Sequence, residues 1–146
     1  MRIKILPVIF LVLFAVMCGD DSPTQDAVKK KKGNLVITVD STPLLMNWNY
    51  SVGLWYCTSR ITVSETGGVA VNITEASMAF IWESKEYEKQ DIGGGRLGAY
   101  QSLTLQLKVG TKYRYESAKF VVVGRDDNGH NVQETKIYDL HYVGVD

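Results

Sequence analysis

The sequence predicts an all-β domain, a two-layer antiparallel sandwich of about seven strands. Three observations predict it. Apolar residues recur at every second position in several stretches, most clearly at Leu103, Leu105, Leu107 and Val109. Turn-forming groups such as Ser41-Thr42-Pro43, Gly67-Gly68 and Asn128-Gly129 divide these stretches at fairly regular spacing. No stretch of the domain carries a helical period of useful length.

Each element follows from local pattern. Residues 34–40 alternate, with Leu35, Ile37 and Val39 on one side, and Ser41-Thr42-Pro43 ends the strand. Residues 44–51 pack Leu44, Leu45, Met46, Trp48 and Tyr50 closely together, which fits either a loop covering the sheet or a short irregular strand. Residues 53–66 form the second strong strand, with Trp55, Cys57, Ile61 and Val63 on one parity. Cys57 reads as a core residue beside Trp55 rather than a reactive thiol. After Gly67-Gly68 come residues 69–74 and then 76–83, where Ala76, Met78, Phe80 and Trp82 share a face. Ser84-Lys85-Glu86 begins a polar turn, and residues 91–96 form a glycine-rich loop. That loop lacks the Gly-Lys-Ser/Thr ending of a phosphate loop. Residues 102–109 are half-buried, Gly110-Thr111 turns, and residues 112–115 are a short aromatic strand or the start of one. Residues 119–124 are apolar on both faces and belong in the centre of a sheet. Asp126-Asp127-Asn128-Gly129 is a hairpin signal, with residues 131–137 returning and 138–143 as their continuation.

The N-terminus has a different character. Arg2 and Lys4 precede an apolar run over residues 5–17, broken only by Pro7. This is shorter than the roughly 20 residues that span a bilayer and has the form of a secretory signal. Ala15-Val16-Met17-Cys18, followed by Gly19-Asp20-Asp21, resembles the lipobox of bacterial lipoproteins. Ala15 stands where leucine is usual and Met17 where a small residue is usual. The resemblance implies a signal peptide over residues 1–17, diacylation of Cys18 (a palmitate-type anchor), and a domain outside the cytoplasm at the bacterial cell envelope. Residues 18–33 read as a flexible linker ending in Lys29-Lys30-Lys31-Lys32, a solvated spacer, and residues 34–146 as the folded domain.

Composition narrows the function. The whole chain has 16 basic and 16 acidic residues, and loss of Arg2 and Lys4 leaves a slight acidic excess, so nothing argues for nucleic acid. Cys18 and Cys57 are the only cysteines, so a lipidated Cys18 leaves Cys57 unpaired and the domain standing on its core alone. Asp126, Asp127, Asn128 and His130 fail as a calcium loop, because Asn131 and Ile137 occupy the glycine and bidentate-glutamate places. His130 and His141 lack zinc spacing, and Glu83 and Glu86 read as solvated rather than as a hydrolytic pair. No catalytic set, metal site or cofactor is expected. Trp48, Tyr50 and Tyr56, near Trp55 and Trp82, are the candidate binding surface, able to stack on a sugar or a peptide.

Residues 61–69 (Ile-Thr-Val-Ser-Glu-Thr-Gly-Gly-Val) and 121–130 (Val-Val-Val-Gly-Arg-Asp-Asp-Asn-Gly-His) resemble immunoglobulin-like sandwich domains of bacterial surface lipoproteins. That resemblance implies an extracytoplasmic β-sandwich without assigned activity. The expected function is a non-catalytic binding or accessory module, anchored to a membrane through Cys18, for another envelope protein or a glycan. The alternative is an inhibitor or regulator of an exported protease, acting through the loop over residues 93–98.

Overall fold

A computed structural model describes residues 30–144. The expected signal peptide, Cys18 and most of the linker lie outside the described residues.

The described chain is all-β, with nine strands where about seven were expected. These are β1 (Leu35–Val39), β2 (Leu44–Asn49), β3 (Leu54–Glu65), β4 (Val71–Trp82), β5 (Lys85–Asp91), β6 (Gly95–Leu97), β7 (Ser102–Thr111), β8 (Ser117–Asp126) and β9 (Asn131–Val143). The extra strands come from two places. The ambiguous stretch after Pro43 is β2, whose Leu44 and Met46 are fully buried while Leu45 faces out. The supposed polar turn and glycine loop contain β5 and β6, both paired to β4.

The strands form one mixed, non-closed sheet that doubles over at β9. β7 lies along one edge of β3, while β1 and β2 share the other. β4 pairs with β5 and β6 on one side and with β8 on the other, so β8 sits between β4 and β9. β9 is antiparallel to β8 as far as Asp139 and then parallel to β2 from Leu140 to Val143. This parallel pairing corrects the expectation of purely antiparallel layers. One long strand leaves its hairpin partner and continues along β2, so its direction there is set by the hairpin.

Both halves bury residues in one core. Ile37, Met46, Ile61 and Leu107 come from one half, and Met78, Phe80, Phe120 and Val122 from the other. Fully burying a side chain such as Phe80 contributes about 1.5–3 kcal/mol. Cys57 lies in this core, and burial, with a smaller effect from Asp40, pushes its thiol up to about 11. A thiol so placed is a packing group.

The turn after β8 is the expected hairpin, with Gly129 N–H donating to Asp126 O at 2.9 Å. Gly129 alone of Asn128-Gly129 takes a positive φ, of 88°, so the turn is not of the type that needs two such residues.

The start of the domain is fastened at several points. Gly33 N–H donates to Asp126 Oδ2 (2.9 Å) and Asn34 N–H to Glu65 Oε1 (3.1 Å). Asn128 Nδ2 donates to Lys31 O (2.7 Å). Glu65, 2% exposed, also accepts from the N–H groups of Gly67, Gly68 and Tyr100. Asp126 also accepts from His130 N–H (2.8 Å) and pairs with His130 Nδ1 (3.0 Å). Burial raises both carboxyl pKa values, but these hydrogen bonds outweigh it, leaving Glu65 below its usual range and Asp126 lowered to about 2. Residues 31–33, expected as the end of a flexible linker, are thus hydrogen-bonded into the domain.

Candidate functional site: an aromatic pole

The register of the strands defines two ends. Glu65, Val71, Ser102 and Asp126 lie at the end where residues 30–34 join. Leu54, Trp82, Thr111 and Ser117 lie at the other. Twelve-residue strands such as β3 and β4 put these poles roughly 35–40 Å apart.

Aromatic side chains gather at the second pole. Trp82 ends β4, and the chain reverses through Glu83 and Ser84, with φ of 47° and 64°. Two successive positive φ values close a tight hairpin, so Lys85 pairs with Trp82 and Tyr87 with Phe80. The segment linking β7 to β8 then brings in Tyr113, Arg114 and Tyr115. Tyr115 is buried and stacks on Phe80 (4.9 Å, 10°) and on Tyr87 (5.6 Å, 28°). Tyr113 meets Tyr115 edge-on at 6.3 Å. Trp82, Tyr87, Tyr113, Arg114 and Tyr115 line an open cleft of about 500 Å³. Trp82, Tyr87 and Tyr113 are 42%, 38% and 64% exposed, so large ring surfaces face solvent together.

The cleft has a rigid base. Tyr115 N–H donates to the Tyr142 hydroxyl oxygen (2.6 Å), and that hydroxyl donates back to Tyr115 O (3.0 Å). The Arg114 guanidinium lies 4.7 Å from the Trp55 ring and 5.5 Å from the Tyr142 ring, within cation–π range. Trp55 in turn packs edge-on with Tyr142 (4.9 Å) and Trp48 (5.1 Å).

A second hollow, of about 390 Å³, adjoins the cleft across Tyr113 and has a mixed polar and apolar lining that includes Leu54. Glu88, Lys89, Gln90, Thr111 and Lys112 contribute to it. A β-bulge shapes this wall. Gln90 pairs with Met78 and Tyr87 with Phe80, so Glu88 and Lys89 together face Ala79. Glu88 takes φ of 49°, a strained conformation for glutamate. Bulges re-aim side chains, and here the Glu88 carboxylate comes near enough to act on the Tyr115 hydroxyl electrostatically. Burial first, and that carboxylate second, raise the Tyr115 hydroxyl above the ordinary tyrosine range.

Of the three residues expected to form a binding surface, Trp48 and Tyr50 lie together, ring centroids 6.5 Å apart, and Tyr56 lies apart from them. Trp48 is half-buried between Trp55 and Tyr50. Tyr50, 79% exposed, follows β2 and donates to Gly144 O (2.9 Å). Tyr56 lies on the opposite face of β3 from Trp55, with its ring over Gly110. The cleft residues Tyr87, Tyr113, Arg114 and Tyr115 were missed. The available signal was the run Lys112-Tyr113-Arg114-Tyr115 between two strands, at the same sheet end as the Trp82 turn.

Other groups are spent on structure. Glu86 pairs with Lys119 (2.6 Å). Within residues 93–98, Gly95–Leu97 pair with β4, Leu97 is buried, and Arg96 bonds Asp127 (2.7 Å). The expected protruding loop is therefore largely pinned. Among the described residues, no group of three His, Cys, Asp or Glu side chains converges as a metal site.

Fold and site together define an all-β domain with an aromatic cleft at the pole opposite its N-terminal attachment. No known family and no curated protein matches the sequence. Among solved structures, a Bordetella pertussis protein described as ApaA shares the fold, with a TM-score of 0.55 at 11% identity over 75% of this chain and 96% of that one. The sporulation control protein Spo0M from Bacillus subtilis is more remote, with a TM-score of 0.39 at 8% identity over 75% of this chain and 49% of that one.

Proposed function

We propose that this chain is a lipid-anchored protein of the bacterial cell envelope, a non-catalytic binding or accessory module carried on an immunoglobulin-like sandwich. The sandwich reading is supported by strand order. β1 and β2 together, β3 and β7 stand for strands A, B and E, and β4, β8 and β9 for C, F and G, with β5 and β6 added beside C. The anchor rests on the resemblance around Cys18. The observation that carries the binding role is the position of the exposed Trp82, Tyr87 and Tyr113 at the pole away from the tether. A domain held by lipid at Cys18 presents that pole outward, toward other envelope components.

The test is palmitate labelling and crosslinking in native envelopes. The wild-type chain is compared with Cys18→Ala and with a Trp82→Ala/Tyr113→Ala double variant. Labelling is expected to vanish in Cys18→Ala, and specific crosslinks to vanish in both variants. Unchanged labelling in Cys18→Ala overturns the anchor. Crosslinks that survive the double variant overturn the aromatic pole as the contact. The alternative, inhibition or regulation of an exported protease, has less support because residues 95–97 are strand-paired rather than projecting.

A further inference from the structure

We infer that the aromatic cleft and the mixed hollow beside it form one groove for a neutral oligosaccharide. This rests on the binding-module reading and names its ligand class.

The chemistry of the two hollows is complementary in the way a pyranose requires. A sugar ring has a flat C–H face and a rim of hydroxyls. Trp82, Tyr87 and Tyr113 offer flat rings already exposed, and the stacking of Tyr87 and Tyr113 against Tyr115 restrains them. Prearranged rings cost little further ordering on binding. Across Tyr113, Glu88 and Gln90 supply acceptors, while Gln90 and Lys112 supply donors for hydroxyls. The bulge and the positive φ of Glu88 place its carboxylate in the wall of the second hollow, on the strand that also carries Tyr87 of the cleft.

Other ligand classes fit less well. Glu88 and Lys112 both line the second hollow, and Lys89 is paired with Glu75 at 2.8 Å, so the groove carries charges of both signs and suits a neutral ligand better than a polyanion. The cleft is an open trough walled by flat rings rather than an enclosed socket for one apolar side chain. Two adjoining hollows that share Tyr113 suit a chain of rings rather than a monosaccharide.

Cellotetraose and chitotetraose are the probes. Each is titrated into the detergent-solubilised full chain, and binding is read from tryptophan fluorescence and calorimetry. Saturable binding of at least one is expected. Trp82→Ala and Tyr113→Ala should each weaken it about tenfold, the scale of one lost aromatic stack. Glu88→Gln should weaken it severalfold, and Tyr50→Ala, outside the groove, should leave it unchanged. Near-ultraviolet circular dichroism checks that each variant is folded. If the folded wild type binds neither sugar at millimolar concentration, or if the ring variants bind as well as wild type, the inference is overturned. The wider module reading fails separately. Envelope crosslinks that need Trp82 and Tyr113, without sugar binding, leave a module whose ligand is a protein.

Discussion

Two glycines separate steric conflict with backbone from conflict with a movable side chain. Gly124 in β8 and Gly110 in β7 have ordinary strand conformations, so alanine is not excluded at either by φ. A Cβ on Gly124 meets Asn72 O at 2.7 Å and Val71 Cγ1 at 2.7 Å. A Cβ on Gly110 meets the Tyr56 ring at 2.8 Å. The distances nearly match, but the neighbours differ. Asn72 and Val71 belong to β4 just before the bulge between Ile73 and Glu75, where the paired strands leave little freedom. Tyr56 sits on the outer face and has room to swing. Overpacking costs about 1–3 kcal/mol, and replacing glycine by alanine returns about 0.4–1 kcal/mol through the unfolded chain. Gly124→Ala should therefore destabilise by about 1–2 kcal/mol, and Gly110→Ala should stay within about 1 kcal/mol of wild type. Urea unfolding of each variant in a Cys18→Ala background, followed by tryptophan fluorescence, gives both values if the slope is unchanged. A Gly124→Ala protein as stable as Gly110→Ala would refute the reasoning, because the β4–β8 pair would then yield as easily as a surface ring.

Three further outcomes follow from named contacts. The folded-state pKa values of Asp126 and Glu65 are depressed, so their stabilisation is present above the unfolded carboxyl range near 4 and is lost as pH falls, for Asp126 toward about 2. Thermal melts should be level from neutral pH to about 5 and fall below 4; Asp126→Asn should melt lower at pH 7 and fall less steeply, and a parallel decline would count against the assignment. Tyr142→Phe removes the partner of Tyr115 N–H and should cost about 1–3 kcal/mol in urea unfolding, with no loss expected if that hydrogen bond is unimportant. The Cys57 thiol, pushed up to about 11 and buried, should react with a disulfide reagent at pH 8 only through unfolding, so rapid labelling of the native Cys18→Ala protein would contradict its place in the core.

Much of the fold was legible because alternation records one-sided burial. Leu107 and Val109 of β7, and Trp55, Cys57, Ile61 and Val63 of β3, are buried as their parity requires. β5 was not legible, because Lys-Glu-Tyr-Glu-Lys-Gln-Asp contains one apolar side chain and the strand exists through its backbone pairing with β4. β6 was hidden for the same reason, with Leu97 its only buried side chain. The parallel contact of β2 with β9 was also out of reach, since alternation fixes a strand's faces but not its neighbour. In the site, Trp82 stood out as an aromatic, whereas Glu88 did not. Its position depends on a bulge and a positive φ that nothing in a Glu-Lys-Gln sequence announces.

The two poles are built from opposite materials, and the difference fits their places in the chain. At the attachment pole, carboxylates of Glu65 and Asp126 gather backbone N–H groups from separate segments, and Gly33 leaves no room for a side chain beside Val71 Cγ2, 2.8 Å from its ideal Cβ. Such contacts fix the path of the chain and expose no reactive surface. At the far pole, aromatic rings are stacked and the Tyr142 hydroxyl is tied to the Tyr115 backbone, yet Trp82 and Tyr113 keep faces in water. Burying those faces further would add stability at about 25 cal/mol per Å², so folding alone gives no reason to leave them open. The hydrogen bonds of residues 31–34 hold that stretch against the base of the domain rather than letting it swivel at Gly33.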